Sequence, residues 1–495
     1  MSMKTAPPAR IGLAGITGYV ALIVGGLGLL LLVRMYGQGL VAPSAPVDAG
    51  TVGRLPAGQV DVVFHVVATL AAVIFLGYVM GRVLRFFGQP PVIGEVIAGI
   101  MLGPSLLGAI SPDALHLLIP SSIADPKSQV PAALKAVSQL GAILYMFLVG
   151  LELNAARLAG RAHSAVAVSH SSIMVPFVLG GLLSLGLYPV FSHAGVPFTS
   201  FALFMGTAMA ITAFPVLARI LTDRGLDKTE LGGIALGCAA ADDVTAWCIL
   251  ALVVGVAQSN LETALGVIGG AVTFIAVMFL VVKPLVLRVV RVCDNRGNAL
   301  PPTIIPGIFL AVLLAALTTE AIGIHAVFGA FLLGAVIPHD SRIAHEFTTK
   351  LKDLVTVLLL PAFFAYTGMR TQINLVSGWE NWLWCGAIVL TATIGKFGGT
   401  LFAARVTDLS WRDSAALGAL MNTRGLMELI VLNIGLDLGV ISPTLFAMMV
   451  VMALATTATT APILERLIPS FCGEQARAPS PHVDAVNCRE VPAHV

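Results

Sequence analysis

Two adjacent carboxylates, Asp242 and Asp243, stand in Ala239-Ala-Ala-Asp-Asp-Val-Thr-Ala-Trp247, inside an apolar run from about Thr229 to Ala257. At about 1.5 Å of rise per residue, Asp242 lies roughly 20 Å along such a helix, near a bilayer midplane. An acidic group at that depth costs about 2.5–3.5 kcal/mol to insert. Two in succession point either to a polar network that locks helices together or to a site for an ion and a proton. Successive helical residues diverge by about 100°, so both cannot address one partner; one is free to face a cavity while the other faces a neighbouring helix. A third charge, Lys396, sits in Ile394-Gly-Lys-Phe-Gly-Gly399, between glycines that permit close helix approach. It lies too deep in its span to snorkel, and an ammonium there needs a carboxylate. Asp242 and Asp243 are its natural partners. Arg424 and Glu428, four residues apart, can pair along their own helix and balance charge there.

These groups need elements that bring them together. The span 198–221 carries Thr212, Ala213, Phe214 and Pro215, and proline both removes a backbone donor and disturbs the preceding turn. The span 412–437 carries Asn422, Thr423, Arg424 and Gly425 at a similar depth. A proline kink alone would explain the first. Two interrupted helices at corresponding positions instead indicate a transport site, because broken ends present dipoles and free carbonyls to a cation or a charged side chain.

Composition sets the surroundings. Of 495 residues, 57% are hydrophobic and 11% charged, against about 25% charged in a soluble domain. Repeated apolar runs make the chain an all-α polytopic membrane protein. Fourteen spans are expected: Ile11–Val33, then thirteen between residues 62 and 466, among them 164–188, 262–287, 322–337, 382–405 and 441–466. With that count, 21 of the 28 basic residues fall on one side and Arg34, Arg54, Lys127, Lys135 and Arg370 on the other, which makes both termini cytoplasmic. The run Val92–Gly103 resembles Ile324–Gly334, and Phe147–Glu152 resembles Ala365–Arg370. Copies seven spans apart are inverted, so the expected organisation is an extra helix and linker (1–61), a six-helix repeat (62–257), a linker helix (258–301), a second, inverted repeat (302–466) and a short tail (467–495). Chance likeness between glycine-rich apolar segments is the alternative.

Several other features exclude chemistry. The six cysteines form no CxxC pair, so neither a disulfide framework nor a zinc site is expected. His345-Glu346 opens an HExxH pattern that fails at Lys350. Neighbouring aspartates on one helix do not converge on a single water as an aspartyl protease requires. An enzyme is therefore not expected, nor a nucleic-acid partner. Glu95, Glu152, Glu320 and His325 lie nearer span ends, where wet, interface-level side chains are ordinary.

The segments Thr212–Leu221, Ala240–Trp247, Gly395-Lys396, Met421–Asn433 and Met452–Pro462 together resemble the monovalent cation:proton antiporter-2 family, over roughly residues 62–466. The likeness is to its plant cation/proton and fungal potassium/proton exchangers. It implies a core with two crossed broken helices, a separate dimerisation domain and a homodimer. Transported Na+ or K+ and protons replace any cofactor. The family's ion-binding aspartate corresponds to Asp243, which would hold the cation transiently. Asp242 stands where many relatives carry Asn. That departure resembles the electrogenic sodium/proton exchangers, whose first aspartate pairs with a lysine matching Lys396. The expected function is Na+ or K+ exchange for H+ in a bacterial-type inner membrane. A K+ efflux pathway, an electroneutral exchanger and a transport-dead sensor are the alternatives. Only about 29 residues follow the last span, without a glycine-rich βαβ fingerprint, so no nucleotide-binding regulatory domain is expected in the chain.

Overall fold

The structure is a computed structural model that describes residues 25–26, 28–40, 61–120, 128–152, 162–226, 229–257, 261–295 and 301–468. The start of the first expected helix, most of the linker after it and nearly all of the tail lie outside the described residues.

Every described regular element is a helix. Apart from short helices at Leu107–Ile110 and Pro112–Leu118 and a 3-10 turn at Ile373–Leu375, they run α1 (Gly28–Gly37), α2 (Val62–Phe86), α3 (Pro91–Leu102), α4 (Gln129–Glu152), α5 (Ala162–Phe191), α6 (Phe198–Ala210), α7 (Phe214–Asp223) and α8 (Glu230–Ala257). Next come α9 (Leu261–Val277), α10 (Lys283–Asn295), α11 (Ile304–Ile322), α12 (Ala326–Val336), α13 (Arg342–Leu354) and α14 (Leu360–Arg370). The last are α15 (Trp379–Thr393), α16 (Gly399–Val406), α17 (Trp411–Met421), α18 (Leu426–Asp437) and α19 (Pro443–Leu467). Single π-turns join α9 to α10 (Met278–Val282), α13 to α14 (Val355–Leu359) and α15 to α16 (Ile394–Gly398).

Local chemistry sets many of these ends. Ser341, Ser410 and Ser442 cap helix starts by accepting the N–H groups of Ala344, Asp413 and Leu445. Gly323 ends α11 in the left-handed region, at φ 94°. Glu320 then accepts the N–H of Ala326 at 2.9 Å and His325 that of Val327 at 3.4 Å, so two of the end-of-span polar residues cap the start of α12.

Among the described residues, eleven helical stretches are long and apolar enough to cross a membrane, or twelve if the bent pair α17–α18 counts as one span. One of the fourteen expected spans is shorter. The eleven residues of α12 extend only about 16 Å, against an apolar core of about 30 Å. The largely apolar run from 322 to 337, interrupted only by His325, conceals the left-handed glycine that stops the preceding helix. Most of the first expected span, Ile11–Val33, lies outside the described residues, of which α1 holds ten.

The helices pack as two bundles. One holds α2–α4 and α9–α14, the other α5–α8 and α15–α19. Within the first, α4 packs on α12 and α3 on α14, at paired glycines. A β-carbon on Gly334 would stand 2.3 Å from the Phe147 carbonyl oxygen, and one on Gly150 2.3 Å from that of Phe331. Gly99 and Gly368 meet the opposing backbones of Ala365 and Val96 in the same way, at 2.3 and 2.4 Å.

A polar clasp joins the bundles at one end. Asp437, at the end of α18, accepts Lys135 of α4 at 2.7 Å and Arg370 of α14 at 2.7 Å. Arg370 also donates to Asn433 at 2.8 Å, and Asn433 donates to Thr367 at 2.9 Å.

Candidate functional site

The site lies in the second bundle, where two helices break and cross. After Ala210 the chain runs extended through Ile211–Ala213 and turns helical again at Phe214. Pro215 enforces this: its missing N–H is harmless in the first turn of α7 but would break a continuous helix. The partner breaks over Asn422–Gly425, and α17 and α18 meet at a bend of 42°. The extended pieces touch, with the Ala213 N–H donating to the Thr423 carbonyl at 3.0 Å. The hydroxyl of Thr212 reaches the Met421 carbonyl at 3.2 Å.

Breaking α6 leaves its last carbonyls without helical partners, and cations take them. Arg424 donates to Ala208 O at 2.8 Å and to Met209 O at 2.7 Å, and Lys396 donates to Ala210 O at 2.5 Å. Two positive charges thus sit at the negative end of a helix dipole inside the membrane. Across the crossing, Glu428 lies in the first turn of α18, where a carboxylate suits the positive end. Arg424 approaches it to 3.1 Å, the i to i+4 pair expected from the sequence. The Arg424 backbone is held by Thr457, which accepts its N–H at 2.9 Å and donates to its carbonyl at 2.8 Å.

The two aspartates of α8 have opposite surroundings, though both are 0% exposed. Asp242 is the partner of Lys396, with Nζ 2.9 Å from Oδ2. Thr212 donates to the same oxygen at 2.8 Å. From α5, Ser169 donates to Oδ1 at 2.6 Å and Ser172 reaches Oδ2 at 3.0 Å. Among the described residues, Asp243 has no hydrogen-bond partner on either oxygen. The helical divergence of neighbouring residues has therefore split the pair into one saturated carboxylate and one bare one.

Lys396 lies within the π-turn between α15 and α16, also 0% exposed. Its helix approaches α5 closely: a β-carbon on Gly395 would stand 2.8 Å from Pro176 Cα, and one on Gly399 3.0 Å from the Ser171 carbonyl. Ser171 donates to the Gly399 carbonyl at 3.0 Å. Downstream of the aspartates, the Trp247 ring lies against Phe328 and His325 of the first bundle, at centroid distances of 5.9 and 6.3 Å.

Of the residues singled out in the sequence, Thr212, Ala213, Asp242, Lys396 and Arg424 meet directly at the crossing. Phe214 and Pro215 open α7, Asn422 ends α17, and Glu428 reaches the cluster through Arg424. Glu95 is half-buried on α3, in the other bundle, with Oε2 unpartnered. Glu152 and His345 are exposed, and Glu346 pairs with Lys350, the residue that spoils the zinc pattern, at 2.9 Å. Ser169, Ser171 and Ser172 were not singled out. Their signal is the hydroxyl-rich run Ser169-His-Ser-Ser172 within an otherwise apolar span.

Crossed broken helices with buried ion pairs beside a bare carboxylate define an integral membrane ion carrier, not an enzyme. Residues 70–466 match the family model described as sodium/hydrogen exchanger, transmembrane, and the chain belongs to that family, among the monovalent cation:proton antiporters-2. It is 43% identical over 407 residues to the Na(+)/H(+) antiporter NhaS4 of Synechocystis sp., covering 82% of this chain and 97% of that protein. It is 39% identical over 399 residues to Cation/H(+) antiporter 18 of Arabidopsis thaliana and 30% over 389 to K(+)/H(+) antiporter 1 of Saccharomyces cerevisiae. Those alignments take in 80% and 77% of this chain but only 48% and 44% of the relatives, so the chain spans about half their length. In fold it is similar to the sodium proton antiporter MjNhaP1 of Methanocaldococcus jannaschii, with a TM-score of 0.60 at 16% identity, covering 83% of this chain and all of that one.

Proposed function

We propose that Asp243 is the carboxylate at which a monovalent cation and a proton compete, with Asp242 and Lys396 as the fixed pair beside it. The chain is a secondary monovalent cation/proton antiporter of the Na+ and K+ class. One observation carries the site assignment: Asp243 is fully buried with both oxygens unpartnered, next to an aspartate that has four donors within reach. A bare carboxylate in a membrane interior is retained where a proton or a cation occupies it.

Exchange runs by alternating access, with the α5–α8 and α15–α19 bundle moving as a unit against the other. The cation carried is Na+ or K+, each named in relatives of this chain. Pairing of Asp242 with Lys396 favours an electrogenic cycle in which both Asp243 and Lys396 hand over protons. We infer fourteen crossings, the short α12 among them, with both termini in the cytoplasm of a bacterial-type inner membrane; the 21-to-5 division of basic residues supports this. What supports the inverted repeats is an exchange of partners: the helix with the first glycine motif in each half packs on the helix with the second motif of the other half, α3 on α14 and α12 on α4. A homodimer follows from the family likeness.

The test is reconstitution in proteoliposomes with a pH-sensitive dye, comparing Na+, K+ and Li+ with and without an imposed voltage. Asp243→Asn is expected to abolish cation-driven proton movement while the protein still inserts. Wild-type-like exchange by that variant overturns the assignment.

A further inference from the structure

Helix α5 reaches Asp242 through serine hydroxyls and packs closely against the turn that carries Lys396. Ser169 and Ser172, each 0% exposed, reach the Asp242 carboxylate from one side, at 2.6 Å to Oδ1 and 3.0 Å to Oδ2. One turn of the same helix holds the lysine's π-turn: Ser171 donates to the Gly399 carbonyl at 3.0 Å, and Gly395 and Gly399 admit the α5 backbone where a side chain would not fit. A serine hydroxyl carries one proton, and Ser172 also lies 2.9 Å from the Ser169 carbonyl. Ser169 makes the closer contact, at 2.6 Å. Its short bond to Oδ1 is the fixed one, leaving Oδ2 to Thr212 and Lys396.

We propose that Ser169 and Ser172 are positioning residues of the exchange site: their hydroxyls hold Asp242 turned toward α5 and Lys396, so that an arriving cation meets the carboxylate of Asp243 alone. This rests on the reading of Asp243 as the exchanging carboxylate. Without the clamp, Oδ1 of Asp242 is a buried acceptor without a donor. A cation on the adjacent Asp243 is the nearest positive charge able to satisfy it. Two carboxylates then share one cation, which binds more tightly and leaves more slowly. The clamp therefore trades affinity for turnover.

The experiment measures cation-dependent proton flux in proteoliposomes, with Na+ and K+ titrated separately, for wild type, Ser169→Ala, Ser169→Ala/Ser172→Ala and Ser171→Ala. Retention of the folded protein is checked by size-exclusion chromatography. The clamp predicts that KM and kcat fall together in the double variant, each by about threefold or more, and in the same direction but less in Ser169→Ala. Ser171→Ala loosens the packing of the Lys396 helix without freeing Asp242, so it lowers kcat without lowering KM. An unchanged or raised KM in folded Ser169→Ala and double variants overturns the proposal. So does a fall in KM in Ser171→Ala equal to theirs. If the double variant does not fold, Ser169→Ala alone decides. Absence of cation-driven flux in wild type instead refutes the reading of the exchange site itself.

Discussion

Arg424 illustrates how much one buried side chain is asked to do. Its guanidinium closes two carbonyls of α6 and faces Glu428, while its backbone is held by Thr457. Removing it leaves two carbonyls and a carboxylate uncompensated in a dry interior, a class of loss worth about 3–5 kcal/mol. Arg424→Ala is therefore expected to lower thermal stability in detergent markedly, measured by the melting of a fluorescent fusion, with Arg424→Lys recovering only part because one ammonium cannot span two carbonyls in a fork. Asp242→Asn makes a different prediction. It removes the carboxylate facing Lys396, and charge movement should fall or vanish, read as solid-supported-membrane current after a Na+ or K+ jump. Wild-type-sized current in that variant, or none in the wild type, would make Lys396 a structural counter-ion. These charged residues were legible because a charge in an apolar run has few explanations. The serines of α5 were not, because a hydroxyl in a helix reads the same whether it bonds its own backbone or, as Ser169 does, a carboxylate 73 residues away.

At the scale of elements, the breaks in both crossing helices follow from local chemistry, a proline in one and Asn-Thr-Arg-Gly in the other, and were visible for that reason. The π-turns were not. Their extra residue per turn answers to neighbours packed against the helix, and the sequence around Lys396 shows only its glycines. The shortness of α12 was hidden in the same way, by a cap that hydropathy does not register. The glycine contacts that fix helix spacing yield a paired prediction. Gly334→Val should abolish folded protein, because any β-carbon there stands 2.3 Å from backbone of α4. Gly307→Ala, where nothing lies within 4 Å of the added atom, should be neutral. Expression and monodispersity on size-exclusion chromatography compare them directly.

For the whole molecule, the arrangement that matters is two bundles held together at one end by Lys135, Asp437 and Arg370. If one bundle moves against the other during exchange, this clasp must open in every cycle. Lys135→Cys/Asp437→Cys in a functional background without the native cysteines should exchange ions when reduced and stop when bridged by a short crosslinker, with recovery on reduction. Undiminished exchange by the crosslinked protein would mean that the bundles do not separate there. Orientation belongs to this scale too. Reporter fusions in the 219–229 loop and at the carboxyl end are expected on the cytoplasmic side, and one in the 189–197 loop outside.

The crossing also carries an imbalance of charge. Counted with every group ionised, it holds three carboxylates, Asp242, Asp243 and Glu428, against two cations, Lys396 and Arg424, all of them 0–1% exposed. An empty carrier thus has one uncompensated negative charge in a medium where an unpaired ion costs several kcal/mol. On the proposed reading of the site, a proton on Asp243 cancels it while Lys396 keeps its own proton; a cation there cancels it too, but the loss of the Lys396 proton then returns one negative charge to the loaded form. In the proposed cycle the vacant form, with neither cation nor proton on Asp243, is the one least able to cross, and a bundle that has released its cation is expected to return only after taking up protons. A carrier built this way is expected not to slip: a cation gradient would run down through it only as protons come back the other way.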